Sequence, residues 1–249
     1  MAEKTVTAAL LVIGDEILSG RTKDKNIGYI AEYLTAIGVE MREVRVVPDV
    51  EEEIVAAVNA LRTRYTYLFT TGGIGPTHDD ITADAVAKAF GVGIGHDPRA
   101  VAMLEERYTP EELTEARLRM ARVPDGADLI ENPVSKAPGF RIGNTFVMAG
   151  VPSIMNAMFD QIAPTLETGA KMIVETIEAL GIPEGIYAAA LAEIAKAHPA
   201  TSIGSYPSFT SNGFRNQIVV RSKDPAALAA AAEAVRDALT RLSGDGVPA

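Results

Sequence analysis

No cysteine occurs anywhere in the chain, which excludes disulfides, thiolate metal sites and thiol nucleophiles. Tryptophan is absent as well, aromatic residues make up only 6%, and alanine is abundant, so helices are expected to carry much of the fold. Basic residues are outnumbered by acids, 23 to 33, for a formal charge of -10. Neither a phosphate backbone nor an anionic lipid surface attracts such a protein, and no run of Lys or Arg offsets the deficit. Nucleic acid and membrane are therefore not expected partners. The N-terminal apolar run, Ala8 to Ile13, is too short to span a bilayer and is followed at once by Gly14-Asp15-Glu16. It reads as a buried strand of a cytoplasmic protein, not a signal peptide.

What is present suits a globular chain of 249 residues built as one domain plus a smaller second one. The first 165 residues or so alternate strand and helix patterns. "TAALLVIG" is apolar without alternation, as in a strand buried on both faces. In "NIGYIAEYLTAIG" the residues Ile27, Ile30, Leu34 and Ile37 make one helical stripe, stopped by Gly38. "VEMREVRVV" alternates as a strand, and "VEEEIVAAVNALRTRY" opens on acids and closes on Arg, matching a helix dipole. "YLFTT" is the next strand, a helix runs from about Thr82 to Phe90, and residues 97–121 read as two helices broken near Pro110. "GFRIGNTFVMAGVP" reads as a hairpin. Strands alternating with helical crossovers imply a mostly parallel sheet covered on both faces.

The remainder has a different grain. "KMIVETIEAL" is a strand pattern, and "EGIYAAALAEIAKAH" a helix with Tyr187, Leu191 and Ile194 on one face. "TSIGSYPSF" and "NQIVVRSKD" are strands around an Asn-Gly turn at 212–213. The last helix has Asp224 as cap, Pro225 in first position and a stripe of Leu228, Ala232, Val235, Leu239 and Leu242. The expected division is residues 1–168 and a small α+β extension, 169–249.

Between strand and helix lies "TTGGIGPTHDDITADAVA". Glycines there let a backbone approach a ligand and aim N–H groups at an anion. By itself Gly72-Gly73-Ile74-Gly75 reads equally as a tight connection; it is neither a Walker loop nor a Gly-x-Gly-x-x-Gly fingerprint. The adjacent carboxylates shift the balance. Asp79 and Asp80 sit at the mouth of the next helix, where one of them can serve as N-cap. From Tyr65 to Pro98 the lone basic side chain is Lys88, against Asp79, Asp80, Asp84 and Asp97. Phosphate bound there needs a divalent cation between, with Asp79 and Asp80 as hard-oxygen ligands. Asp15 and Glu16 follow the first strand and Asp49 the second, at the edge where open α/β sheets bind ligands. Each reads alone as a turn or cap; together they form an acidic rim. His78, His96 and His198 are not assigned a catalytic part.

These segments, with "LLVIGDEILSGRTKDKN", "NPVSKAPGF" and "VMAGVPSIM" in order, resemble the MoaB/Mog-type molybdopterin-binding domain over about residues 5–165, on the side of its CinA-like branch and of the corresponding half of eukaryotic FAD synthases. "GSYPSF" and "VVRSKDP" are similar to the α+β extension of that branch. The resemblance implies a three-layer α/β/α fold and a nucleotide or pterin pocket. Its residues here would be Gly14, Asp15, Glu16, Asn26, Thr71, Gly72, Gly73, Gly75, Pro76, Thr77, Lys136, Gly150 and Pro152. Asp49 and Asp80 stand where adenylyl-transferring members have catalytic acids. CinA-like members are linked to metal-dependent cleavage of ADP-ribose-type pyrophosphates, and the FAD-synthase relatives cleave FAD.

Three departures matter. Ile74 replaces the Thr of the molybdenum-cofactor enzymes, Lys136 stands where a small residue is usual, and the amidase domain of full-length CinA proteins does not follow, so nicotinamide-nucleotide deamidation is not carried over. The leading expectation is a nucleotide pyrophosphatase using Mg, Mn or Co. The alternatives are a molybdopterin adenylyltransferase and a non-catalytic molybdopterin or nucleotide binder. Related domains assemble, so a homodimer or trimer is expected.

Overall fold

The computed structural model describes residues 5–210 and 213–244. The chain divides into two compact units, residues 1–169 and 170–249.

In the first unit the elements run β1 (Val6–Ile13), α1 (Asp15–Leu18), α2 (Asn26–Ala36), β2 (Val39–Val47), α3 (Glu51–Arg64), β3 (Tyr67–Thr71), α4 (Thr82–Phe90), β4 (Ile94–His96), α5 (Pro98–Glu105), α6 (Glu115–Leu118), β5 (Arg122–Pro124), β6 (Asp128–Ile130), β7 (Gly139–Ile142), β8 (Thr145–Met148) and α7 (Pro152–Ile162). Six strands form one sheet in the order β2-β1-β3-β8-β7-β6. The β1, β2, β3 and β8 pairings are parallel, and β7 joins β8 and β6 antiparallel. This is the three-layer α/β/α fold of the MoaB/Mog type.

The unbroken apolar run of β1 follows from its two faces. Ala9, Leu11 and Ile13 enter a core with Ile54, Val58 and Leu61 of α3 and Ala85 and Val86 of α4. Val6, Ala8, Leu10 and Val12 enter a second core with Ile30 and Leu34 of α2 and Met155, Met158 and Phe159 of α7. A strand buried on both sides has no polar face to show. Because β2, β1, β3 and β8 run the same way, Ile13, Val47, Thr71 and Met148 end on one rim, and the loops leaving them meet there.

Residues 97–121 form two helices on either side of Pro110, as expected, but of unequal length. Asp97 caps α5 through the Arg99 amide (2.8 Å) with Pro98 in first position, but α6 is a single turn that passes into a 3-10 turn at Arg119–Ala121. The chain returns as β5, paired antiparallel with β4 in a short ribbon that the sequence pattern does not announce.

In the second unit β9 (Ile173–Leu180), α8 (Glu184–Ala197), β10 (Ser202–Tyr206), β11 (Phe209–Thr210), β12 (Gly213–Ser222) and α9 (Pro225–Gly244) form an antiparallel sheet with β12 bonded to β9, β10 and β11. Tyr187 of α8 and Leu228, Ala232, Val235 and Leu239 of α9 pack on Ile177, Ile218 and Val220. The Asp224 carboxylate accepts from the Ala226 amide at 2.8 Å, capping α9 as expected. Of the expected Asn-Gly turn, Asn212 lies outside the described residues.

Candidate functional site

The loop between β3 and α4 turns on two glycines. Gly72 and Gly73 have φ of +102° and +67°, where a side chain is strained. A β-carbon at Gly72 would also overlap the Ile13 carbonyl oxygen, and one at Gly73 the Thr82 hydroxyl. The Thr82 hydroxyl and amide donate to the carbonyls of Gly72 and Gly73, both at 3.0 Å, fastening the loop to the first residue of α4. Gly72 donates to the Met148 carbonyl (3.1 Å), and Gly150 comes so close that a β-carbon on it would sit 3.2 Å from Gly72 Cα. The Asn26 Nδ2 donates to the Gly150 carbonyl (2.9 Å), while its buried Oδ1 and the buried Thr71 hydroxyl have no partner. Asn26, Thr71, Gly72, Gly73 and Gly150 are thus brought together.

Neither aspartate caps α4. Its N-cap is Ile81, with no side-chain hydrogen bond. Asp80 instead closes a turn inside the loop, its Oδ2 accepting from the Thr77 amide (2.8 Å) and hydroxyl (2.6 Å). Gly75 packs against that carboxylate, leaving no room for a β-carbon. Pro76, Thr77 and Asp79 are exposed, as is His78.

On one side of the loop the acids converge. Asp49 Oδ2 accepts from the Asp15 amide at 3.0 Å, and Asp49 Oδ1 lies 3.6 Å from the β-carbon position of Gly73. Burial pushes the Asp49 carboxyl above the usual carboxylate range; the Asp15 amide opposes this, while the charges of Asp15, Glu16 and Asp79 push it further up. Gly14 is buried and donates to the Val47 carbonyl at 3.1 Å, which sets Asp15 and Glu16 beside the end of β2. Among the described residues no three His, Asp or Glu side chains form a ready-made metal site.

Beside the loop is a cleft lined by Gly73, Ile74, Gly75 and Asp80, by Ala83 and Asp84 of α4, and by Arg119, Met120, Arg122, Pro138 and Phe140. The absence of basic residues near the loop holds only along the chain: Arg119 and Arg122 arrive from the 3-10 turn and β5. Arg119 Nη2 donates to the Asp80 carbonyl (3.2 Å), and Arg122 pairs with Asp84. Sequence reading missed both, since no motif or helical period marks a three-residue turn and a three-residue strand. Lys88 is paired with Glu51. Lys136 is held against Glu106 (2.6 Å) in a left-handed conformation, φ 63°, on a loop organised by the buried Asn132. Pro152 opens α7 at the surface.

A parallel α/β sheet whose strand ends present a glycine loop between acids and arginines defines an open α/β domain with its ligand rim at the strand C-termini. The model of the probable molybdopterin binding domain matches residues 9–168, and that of the FAD synthase middle domain residues 171–243. The chain belongs to the probable molybdopterin binding domain family. A protein of Aeropyrum pernix is 38% identical over 215 residues, 82% of this chain and 80% of that one. A CinA-like protein of Desulfosudis oleivorans is 34% identical over 209 residues, 79% of this chain but 51% of its own length. The crystal structure of CinA, of unknown function, from Thermoplasma acidophilum matches with TM-score 0.61 and 34% identity, covering 65% of this chain and 98% of that one. Among the described residues no helix is long and apolar enough to cross a membrane.

Proposed function

We propose that the chain binds a nucleotide at the Gly72–Asp80 loop and hydrolyses its pyrophosphate bond, with ADP-ribose or FAD as the substrate type. The observation that supports this reading is the charge gathered around the loop, Asp15, Glu16 and Asp49 by Gly73 and the Arg119 and Arg122 guanidinium groups in the cleft that also holds Asp80 and Asp84. The family description names molybdopterin, and the description matched by the second unit names FAD synthase; FAD contains a pyrophosphate, and molybdopterin carries a phosphate.

Arg119, Arg122 and the loop amides hold one phosphate. Asp49 faces the other and accepts a proton from the attacking water; burial raises its carboxyl, which makes it a stronger base than a free carboxylate. The water oxygen adds to that phosphorus, the bridging P–O bond breaks, and the bridging oxygen departs with the phosphate on the arginine side. Two phosphomonoesters result. Asp49, Asp79 and Asp80 are hard-oxygen donors, though among the described residues no three such side chains stand together as a ready metal site; a divalent cation such as Mg, Mn or Co that keeps waters and takes further ligands from substrate phosphate would suit them. When bound, such an ion supplies charge neutralisation and Lewis acidity.

Incubation with ADP-ribose, FAD, and molybdopterin plus ATP, with each divalent ion or with chelator, tests the reading by product chromatography. The expected result is AMP from ADP-ribose or FAD only with metal. Adenylylated pterin would make the chain a transferase, and tight binding without turnover would make it a binder; either overturns the hydrolase.

A further inference from the structure

Two of the edge strands in this chain treat their free sides differently. β2 ends the six-stranded sheet, and its pairing with β1 slips at Arg42, which has no partner between Met41 and Glu43. Such a bulge, with Glu40, Arg42, Glu43 and Arg45 along the strand, blunts an edge against further pairing. β9 has neither a bulge nor a proline or lysine. It pairs with β12 from Ile173 to Leu180 without a slip, and among the described residues no strand bonds to its other side. The direction of its free groups follows from one bond. One step beyond the Leu180–Arg215 pair, the Gly181 amide donates to the Phe214 carbonyl at 2.9 Å. Bonded pairs alternate along an antiparallel ladder, so Val174, Thr176, Glu178 and Leu180 turn their amides and carbonyls outward. Their side chains are exposed, on the face opposite to the buried Ile177 and Ala179.

We propose that this edge is an interface with a second copy of the chain, β9 pairing antiparallel with β9 about a two-fold axis at Ile177. That register sets Val174 opposite Leu180, Thr176 opposite Glu178 and Glu175 opposite Ala179, and it occupies the outward amides and carbonyls. Ile177 meets Ile177, which joins the two cores. Neither acid faces its own copy, and each is answered within its chain, Glu175 by Arg236 and Glu178 by Arg215. An axis at Glu178 would instead set that residue against itself. Charge also favours this unit for self-association. Residues 170–249 hold seven Lys and Arg against eight Asp and Glu, so the acidic excess that drives two copies apart lies in residues 1–169. The contact is isologous and closes as a dimer. It does not depend on the chemistry of the glycine loop.

The test is sedimentation of the full chain over a range of concentrations. Wild type is expected to dimerise. Thr176→Pro removes one outward amide and no bond to β12, so it is expected to weaken the dimer by about tenfold or more with an unchanged circular dichroism spectrum. Because the chain has no cysteine, single-cysteine variants read the register. Val174→Cys mixed with Leu180→Cys, after subunit exchange, is expected to form a disulfide under mild oxidation, since a bonded pair lies about 5.5 Å apart at Cα. Val174→Cys alone is expected not to cross-link, its two copies lying roughly 20 Å apart along the strands. A monomeric wild type overturns the proposal, as does a dimer that Thr176→Pro leaves intact. A mixture that cross-links no faster than either variant alone overturns it too. Should Thr176→Pro fail to fold, the mixed variants decide.

Discussion

The acidic and cationic sides of the loop are assembled by different routes. Asp15, Glu16 and Asp49 each follow directly from a parallel strand that ends on the rim, so topology alone gathers them. Arg119 and Arg122 come from a turn and a short ribbon that fold back onto the loop from elsewhere in the chain. The energetic consequences differ as well. On the first side, partial burial and then the neighbouring like charges make the half-buried Asp49 harder to ionise. On the second side, Arg119 clamps the loop backbone and Arg122 is neutralised by Asp84. On the proposed reading, such a rim would separate a place for proton transfer from a place for holding charge.

The comparison breaks most completely if the loop itself is lost. Gly72→Ala places a methyl group against the Ile13 carbonyl at a positive φ. It should remove ligand binding and cost on the order of 3 kcal/mol in thermal or denaturant unfolding. Asp49→Asn tests the acidic side alone, and turnover should fall on the order of 100-fold. Its stability should move the opposite way. A carboxyl raised in the folded state favours folding most at acid pH, and that advantage is lost as pH rises through its folded pKa. At neutral pH the charged group is a burden, so the Asn variant should melt higher than wild type there. The gain should vanish below about pH 4, in the range where free carboxyls also protonate.

Asp80→Asn sharpens the contrast between chemistry and scaffold. An amide oxygen can still accept from Thr77, so unfolding should change by about 0.5 kcal/mol or less, while the rate falls on the order of 100-fold if the carboxylate charge orients water or metal. Equal turnover would reduce Asp80 to a turn former. The smallest effect is expected at Lys136→Gln. Its ammonium is held by Glu106 at the surface, and pyrophosphate affinity should change by about twofold or less.

Where the sequence was legible, a short physical rule accounts for it. The continuous apolar run of β1 announced two cores, Asp224-Pro225 announced the start of α9, and glycines after β3 announced a backbone approach. The acids at strand ends were readable because parallel topology sends those ends to one place. Arg119 and Arg122 were not, because charge was counted along the chain and the site is assembled in space. The cap reading of Asp79 and Asp80 also failed for a geometric reason: the Asp80 carboxylate accepts from the Thr77 amide and hydroxyl inside the loop, and the N-cap of α4 is Ile81. Asn132, whose side chain holds residues 134–137, carried no signal beyond being one polar residue among several.

The parallel pairing of β3 with β8 joins Leu68 to Thr145 across nearly half of the first unit. Contacts so distant along the chain close large loops and are slow to form. Gly72 leaves one of these strands and Gly150 follows the other, and they touch only after the pairing is made. Ligand competence is therefore acquired late in folding. An intermediate that has joined β1 with β2 and β3 but not β8 already owns its acids and its glycine loop, yet it lacks the wall that gives them a shape.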